Sequence, residues 1–216
     1  MANTNKVSGL TPVKYLNGAD WTGQANMYHI NSADTNAYYI GDPVALLTGV
    51  EGIAGESYGL QTITVGQVGA ANVGVVVGVS SNPRGLGPII NPPDLTKTWR
   101  PAAAQTTGWF ALVVDDPQVV FEIQEQGTGT LLTVAATSKN ANFALAAPAA
   151  GTYVSGAYLN NATAPATTNT YNLKLLGLSQ KYDSSSVLYN TFGLYAKWLC
   201  LLNNHYYGQY GGRTGI

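Results

Sequence analysis

The 216 residues predict an all-β protein, a sandwich or barrel with long loops and an extended N-terminal arm. Three observations lead there. Short runs rich in Val, Ile, Thr and aromatic residues alternate with Gly, Pro and Asn turns, and apolar residues almost nowhere recur at helical spacing. The third is the stretch 108–126, GWFALVVDDPQVVFEIQEQ. Its 110–114 is an apolar run of strand length, Asp115-Asp116-Pro117-Gln118 is turn chemistry, and 119–126 alternates, with Val119, Phe121 and Ile123 on one face and Val120, Glu122 and Gln124 on the other. This predicts that 109–114 and 119–124 pair as an antiparallel hairpin. The first arm is apolar on both faces, which places it centrally between packed layers.

Taken in order, residues 2–8 are small, polar and aperiodic. Leu10, Pro12, Val13, Tyr15 and Leu16 then space apolar side chains along a segment that Pro12 biases towards extended structure, ended by Asn17-Gly18. Two readings stay open for this strip: an arm that docks on a partner, or the first strand of the domain's own sheet. Segments 27–30 and 37–40 are short strands, and 44–47 resumes after Gly41-Asp42-Pro43. Residues 61–65 alternate, and the valine run 73–79 carries Gly74 and Gly78. Between 80 and 101 lie Pro83, Pro88, Pro92, Pro93 and Pro101, too dense for interior sheet. Trp99 and Arg100 in that loop are of the types enriched at interface hot spots, although Trp99 could equally fold back over its own core. After the central stretch, 131–135 reads as a strand, 144–150 is too short and too broken by Pro148 for a stable helix, and 160–170 is a polar loop. Residues 171–176 and 195–202 are strands, a short amphipathic helix being the rival for the latter. No shift in composition marks a boundary, so 1–20 reads as the arm and 21–216 as one β-rich domain.

Charged residues make up 10% of the chain and the net charge is −1. A surface so poor in charge suits a component of an assembly, because little repulsion opposes association. It offers neither a nucleic-acid footprint nor a polybasic membrane patch, no apolar run reaches membrane-spanning length, and 1–10 lacks the apolar core of a secretory leader. Cys200, the only cysteine, sits in Trp198-Leu199-Cys200-Leu201-Leu202 as a buried small hydrophobe.

For metal or acid–base chemistry the residues are sparse. His29 and His205 have no partner at ligand spacing, and Asp115 and Asp116, being adjacent, cannot work as a pair and should cap backbone N–H groups. There is no nucleophile elbow and no phosphate-cradling glycine loop. The reading is therefore a non-enzyme without cofactor or metal. Tyr206-Tyr207-Gly208-Gln209-Tyr210 could stack on sugars or anchor a protein interface, and its sequence does not choose between them.

Several stretches resemble a family of tailed-bacteriophage head decoration, or cement, proteins. They are Gly9-Leu10-Thr11-Pro12-Val13 with Asn17-Gly18, Tyr39-Ile40-Gly41-Asp42-Pro43-Val44, Gly74-Val75-Val76-Val77-Gly78-Val79 and Trp99-Arg100-Pro101-Ala102. Val114-Asp115-Asp116-Pro117, Phe121-Glu122-Ile123-Gln124-Glu125 and Asn203-Asn204-His205 complete the set. The resemblance implies a β-rich accessory capsid protein on the exterior of a virion assembled in the host cytoplasm. It would brace the major capsid protein as a homo-trimer, without nucleic acid or membrane. The resemblance carries no residue-level map of contacts; residue type and position make Leu10, Pro12, Val13, Tyr15, Leu16, Trp99 and Arg100 the expected capsid or subunit contacts. The aromatic tail and the Thr/Asn loop depart from the family and leave room for a host-surface glycan, or for the alternative of a tail- or fibre-associated carbohydrate-binding module.

Overall fold

The computed structural model describes residues 3–49, 51–81, 97–180, 190–208 and 212–215. Within them run β1 (Thr11–Tyr15), β2 (Asn26–Ile30), β3 (Tyr38–Tyr39), β4 (Pro43–Leu47), β5 (Thr62–Val65), β6 (Gly74–Ser81) and β7 (Trp99–Arg100). There follow β8 (Trp109–Val114), β9 (Val119–Gln124), β10 (Asn140–Ala141), β11 (Phe143–Ala144), β12 (Tyr158–Leu159), β13 (Leu173–Leu178) and β14 (Lys197–Leu202). The chain is nearly all β.

Five strands close into a barrel in the order β2-β5-β4-β6-β8, antiparallel except where β2 meets β5. Closure leaves those strands no free edge. Five others form an antiparallel sheet, β1-β9-β14-β13-β10, and β3–β7 and β11–β12 are small ribbons. Barrel and open sheet are thus both present, and two strands join them. Alternation along β6 sends Val76 into the barrel core and Val75 into the core beneath the sheet; along β8 it sends Val113 into the barrel and Val114 the other way. This is why β8 reads as apolar on both faces. Gly74 makes the close approach between these walls possible: a Cβ there would stand 2.3 Å from the Val114 carbonyl oxygen.

The hairpin expectation is corrected. Both segments are strands, but β8 pairs with β2 and β6 and β9 with β1 and β14. The turn 115–118 is a corner that carries the chain from barrel to sheet. A two-faced apolar strand gains more between two cores than at the side of its neighbour in sequence, so Val114 and Val119 enter one core from different layers.

Of the two readings of the N-terminal strip, an arm over 1–20 or the first strand of the domain's own sheet, the structure has the second over Thr11–Tyr15. Thr11 pairs with Glu122 and Tyr15 with Val119, Leu10 is buried in the core, and its N–H donates to the Gly41 carbonyl. Gly9 and Gly41 cross so tightly that a Cβ on either would lie 2.4 Å from a backbone oxygen of the other segment. Upstream, Asn3 donates to the carbonyls of Thr191 and Leu194, and the Lys6 N–H donates to Gln124 Oε1. Both outer strands of the sheet are covered by loops. Tyr15 N–H donates to Ala19 O and Trp21 N–H to Val13 O beside β1, while Asn140 and Ala166 exchange two bonds beside β10.

The strand expected at 131–135 is instead a 3-10 turn, Val134–Ala136, capped by Thr133. A threonine hydroxyl that can bond its own backbone two residues on favours that turn over a ladder. Segment 195–202 is strand rather than helix. Most of the proline-rich loop, 82–96, falls outside the described residues.

Candidate functional site

The expected contact residues separate by burial. Val13 and Leu16 are exposed, Pro12 and Tyr15 half-buried, and Leu10 is core. Tyr15 packs against the sheet core and its hydroxyl donates to Gln24 Oε1. Trp99 lies between Tyr39 and Tyr153 in a stack, with centroids 5.7 and 5.2 Å apart and planes within 3° and 14°; Tyr153 is 52% exposed. Such a stack presents rigid apolar area at little entropic cost, which suits an interface.

Arg100 is the correction: it is 0% exposed. Its guanidinium donates to the carbonyls of Asp34 (2.6 Å), Asn36 (2.5 Å), Asn31 (3.3 Å) and Pro101 (3.4 Å) and sits 5.7 Å over the Tyr38 ring. Tyr38 in turn donates to the Asp34 carboxylate. Burial pulls the guanidinium below its ordinary pKa, opposed by Asp34 and Tyr38. Arg100 therefore organises the loop 31–36 from inside.

Other charges are also spent inside. Glu125 accepts from Leu132 N–H, Asn161 Nδ2 and Trp198 Nε1. Glu122 accepts from the Ser179 hydroxyl and from Lys197 Nζ at 3.2 Å. Glu56 takes the N–H groups of Ser32 and Gly52; burial works against its charge, yet these donors hold its carboxyl below the ordinary range. Asp42, also buried, accepts from Tyr39 N–H. Sequence reading missed this set, although a carboxylate inside an apolar alternating run, as in Phe121-Glu122-Ile123, was a usable signal.

Both histidines are interior. His29 Nδ1 meets the Thr62 hydroxyl at 3.0 Å and Nε2 lies 3.5 Å from Glu56 Oε1; burial lowers its pKa against the pull of Glu56 and Glu51. The Ser57 hydroxyl donates to Glu51 and not to His29, so these residues do not line up as a proton relay. His205 Nδ1 accepts the Tyr207 N–H at 3.0 Å, and burial pushes its pKa down to about 4. Among the described residues no three His, Cys, Asp or Glu side chains converge on a metal position. Cys200 is buried, and burial pushes its thiol up.

At the corner 115–118 the two aspartates divide their work. Asp116 caps the Gln118 N–H at 2.8 Å, as expected of both. Asp115 instead accepts from Asn26 Nδ2 at 2.9 and 3.0 Å and from the Tyr28 hydroxyl at 2.6 Å. Tyr207, from the aromatic tail, lies alongside: its hydroxyl donates to Gln61 Oε1 and is 3.3 Å from that of Tyr28. Burial first, then Asp115, pushes the Tyr28 hydroxyl well above its ordinary pKa. Asn26, Met27, Tyr28, Gly59, Leu60, Gln61, Asp115 and Tyr207 line a shallow groove of about 550 Å³. Only Tyr207 of this group had been singled out from the sequence for binding. Among the described residues the Tyr39–Trp99–Tyr153 stack and this polar groove are candidate surfaces. No family model, no curated protein and no solved structure matches the chain.

Proposed function

We propose that the protein is an accessory capsid component, a cement protein that binds the outside of a tailed-phage head as a homo-trimer and stabilises the shell. The observation that carries this is where the charge sits. Of ten basic and eleven acidic side chains, Asp42, Glu56, Arg100, Glu122 and Glu125 are buried, which thins an already charge-poor surface. Val13, Leu16, Leu131, Val134, Phe192 and Leu194 are exposed on it. Such a surface favours lasting contact with neighbours over free diffusion. The residue patterns that resemble decoration proteins direct the reading to a head, and a trimer at a three-fold position would repeat each contact three times, so weak contacts would suffice.

Because β1 belongs to the domain's own sheet and its outer edge is covered, attachment runs through side chains rather than strand addition. The test adds purified protein to heads that lack it and follows cosedimentation and rupture temperature. Saturable decoration at three-fold positions and a higher rupture temperature are expected, with Leu16→Asp or Tyr153→Asp weakening binding by at least about tenfold. Heads as heat-resistant without the protein as with it would overturn the proposal. The polar groove favours a second reading, a tail- or fibre-associated carbohydrate-binding module.

A further inference from the structure

We infer that the groove formed by Asn26, Tyr28, Gln61, Asp115 and Tyr207 is a binding site for neutral saccharides. The inference deepens the second reading above and is independent of whether the protein braces a head. Size and lining come first. A volume of about 550 Å³ lies within the range of small-molecule sites, roughly 300–1,000 Å³, and the groove is open and shallow, as a site for one or two rings at the end of a longer chain must be.

Chemistry narrows the class. Among the described residues the lining holds one carboxylate and no Lys, Arg or His, which disfavours phosphate, sulfate and acidic sugars. Met27 and Leu60 are the only aliphatic side chains among the described lining residues, too few for a lipid or a drug-like apolar ligand. Internal bonds fix the polar groups before any ligand arrives. Asp115 is held by Asn26 and Tyr28, and Tyr207 by Gln61 through its hydroxyl and by His205 through its N–H. Such preorganisation lowers the entropy lost on binding.

What those bonds leave over is specific. Asn26 and Gln61 are both exposed, and among the described residues Asn26 Oδ1 accepts no bond and Gln61 Nε2 donates none. The rim therefore offers a free amide acceptor and a free amide donor. A sugar hydroxyl is both donor and acceptor, so a pair of vicinal hydroxyls can satisfy both amides at once. Tyr207, 47% exposed, supplies a ring on which the C–H face of a pyranose can lie.

A quaternary ammonium is the rival that a carboxylate beside two tyrosines suggests. Here Tyr28 is buried, 4% exposed, and meets Tyr207 through its hydroxyl at 3.3 Å, so Tyr207 alone offers an open face, whereas a cage for a quaternary ammonium is built from several aromatic faces.

The experiment uses the full chain on an array of neutral, amino and sialylated glycans, followed in solution by NMR titration with methyl α-glucoside, methyl α-galactoside, N-acetylglucosamine and choline. Neutral glycans should bind, and Asn26→Ala, Gln61→Ala and Tyr207→Ala should each weaken them at least about tenfold with unchanged far-UV circular dichroism and Tm. Both amides are exposed, so Asn26→Ala and Gln61→Ala keep the test sound even if Tyr207→Ala disturbs the tail. No neutral glycan bound, binding untouched by the amide variants, or choline or sialylated glycans preferred would each overturn the inference. Head decoration unchanged in the same variants would leave the cement proposal standing, whatever the array shows.

Discussion

Arg100→Met separates an interior role from an interface role at one residue. Methionine keeps most of the aliphatic stem and removes the guanidinium, so the carbonyls of Asn31, Asp34, Asn36 and Pro101 lose their shared donor. A buried polar group left unpaired costs about 1–3 kcal/mol, and here four backbone carbonyls lose a donor at once. Three of these contacts are only part-buried, so water recovers some of the loss, and relief of the desolvation that depresses the guanidinium pKa offsets more. The expected net loss is about 3 kcal/mol. With a urea slope of about 2 kcal/mol/M the unfolding midpoint falls by about 1.5 M, and Tm falls by about 6–12 °C. Arg100→Lys should recover little of this, because an ammonium cannot span carbonyls fixed around a planar fork. Urea unfolding followed by tryptophan fluorescence measures both variants. A loss under about 1 kcal/mol for Arg100→Met, with head binding impaired instead, would show that the side chain serves a partner and that the reasoning from burial is wrong.

Two further outcomes test the interior polar groups. Glu125→Gln turns one of the oxygens facing Leu132 N–H, Asn161 Nδ2 and Trp198 Nε1 into a donor. It should cost about 2–3 kcal/mol and shift the Trp198 emission; a variant as stable as the parent would refute the assigned network. His205 is held neutral, with a folded pKa of about 4 against 6.5 for an ordinary imidazole. Between those values the unfolded chain binds more protons than the folded one. Stability therefore rises with pH through this window, and on acidification it begins to fall near pH 6.5 and keeps falling to about pH 4. At about 1.4 kcal/mol per unit, roughly 3 kcal/mol is at stake. The difference in unfolding free energy between parent and His205→Gln should narrow by that order from pH 7 to pH 4, and a constant difference would count against a buried neutral His205.

How much was legible follows from what period-two patterns contain. They mark which residues share a face, so β8 and β9 were found with their bounds, and the two-faced character of β8 placed it between layers. They carry no information on partners. β9 pairs with β1, about a hundred residues earlier, and with β14, some eighty later, and a turn motif of Asp-Asp-Pro-Gln serves a corner as well as a hairpin. Arg100 failed for a related reason. Residue type alone favours a guanidinium at a surface, and the carbonyls that justify burying it come from loop backbone, which has no sequence signature. In the groove Tyr207 stood out by composition, whereas Asn26, Tyr28, Gln61 and Asp115 come from separate places that only the closed barrel brings together.

The strands that serve both cores also bear on how the molecule lets go. Val75 with Val76, and Val113 with Val114, commit β6 and β8 to the barrel and the sheet at once, so neither layer can melt while the other keeps its wall. The two layers are then one cooperative unit, without a half-open form to shed surface strands under heat or pull. The proposed bracing role would draw on this, because a brace that yields gradually passes its load to its neighbours.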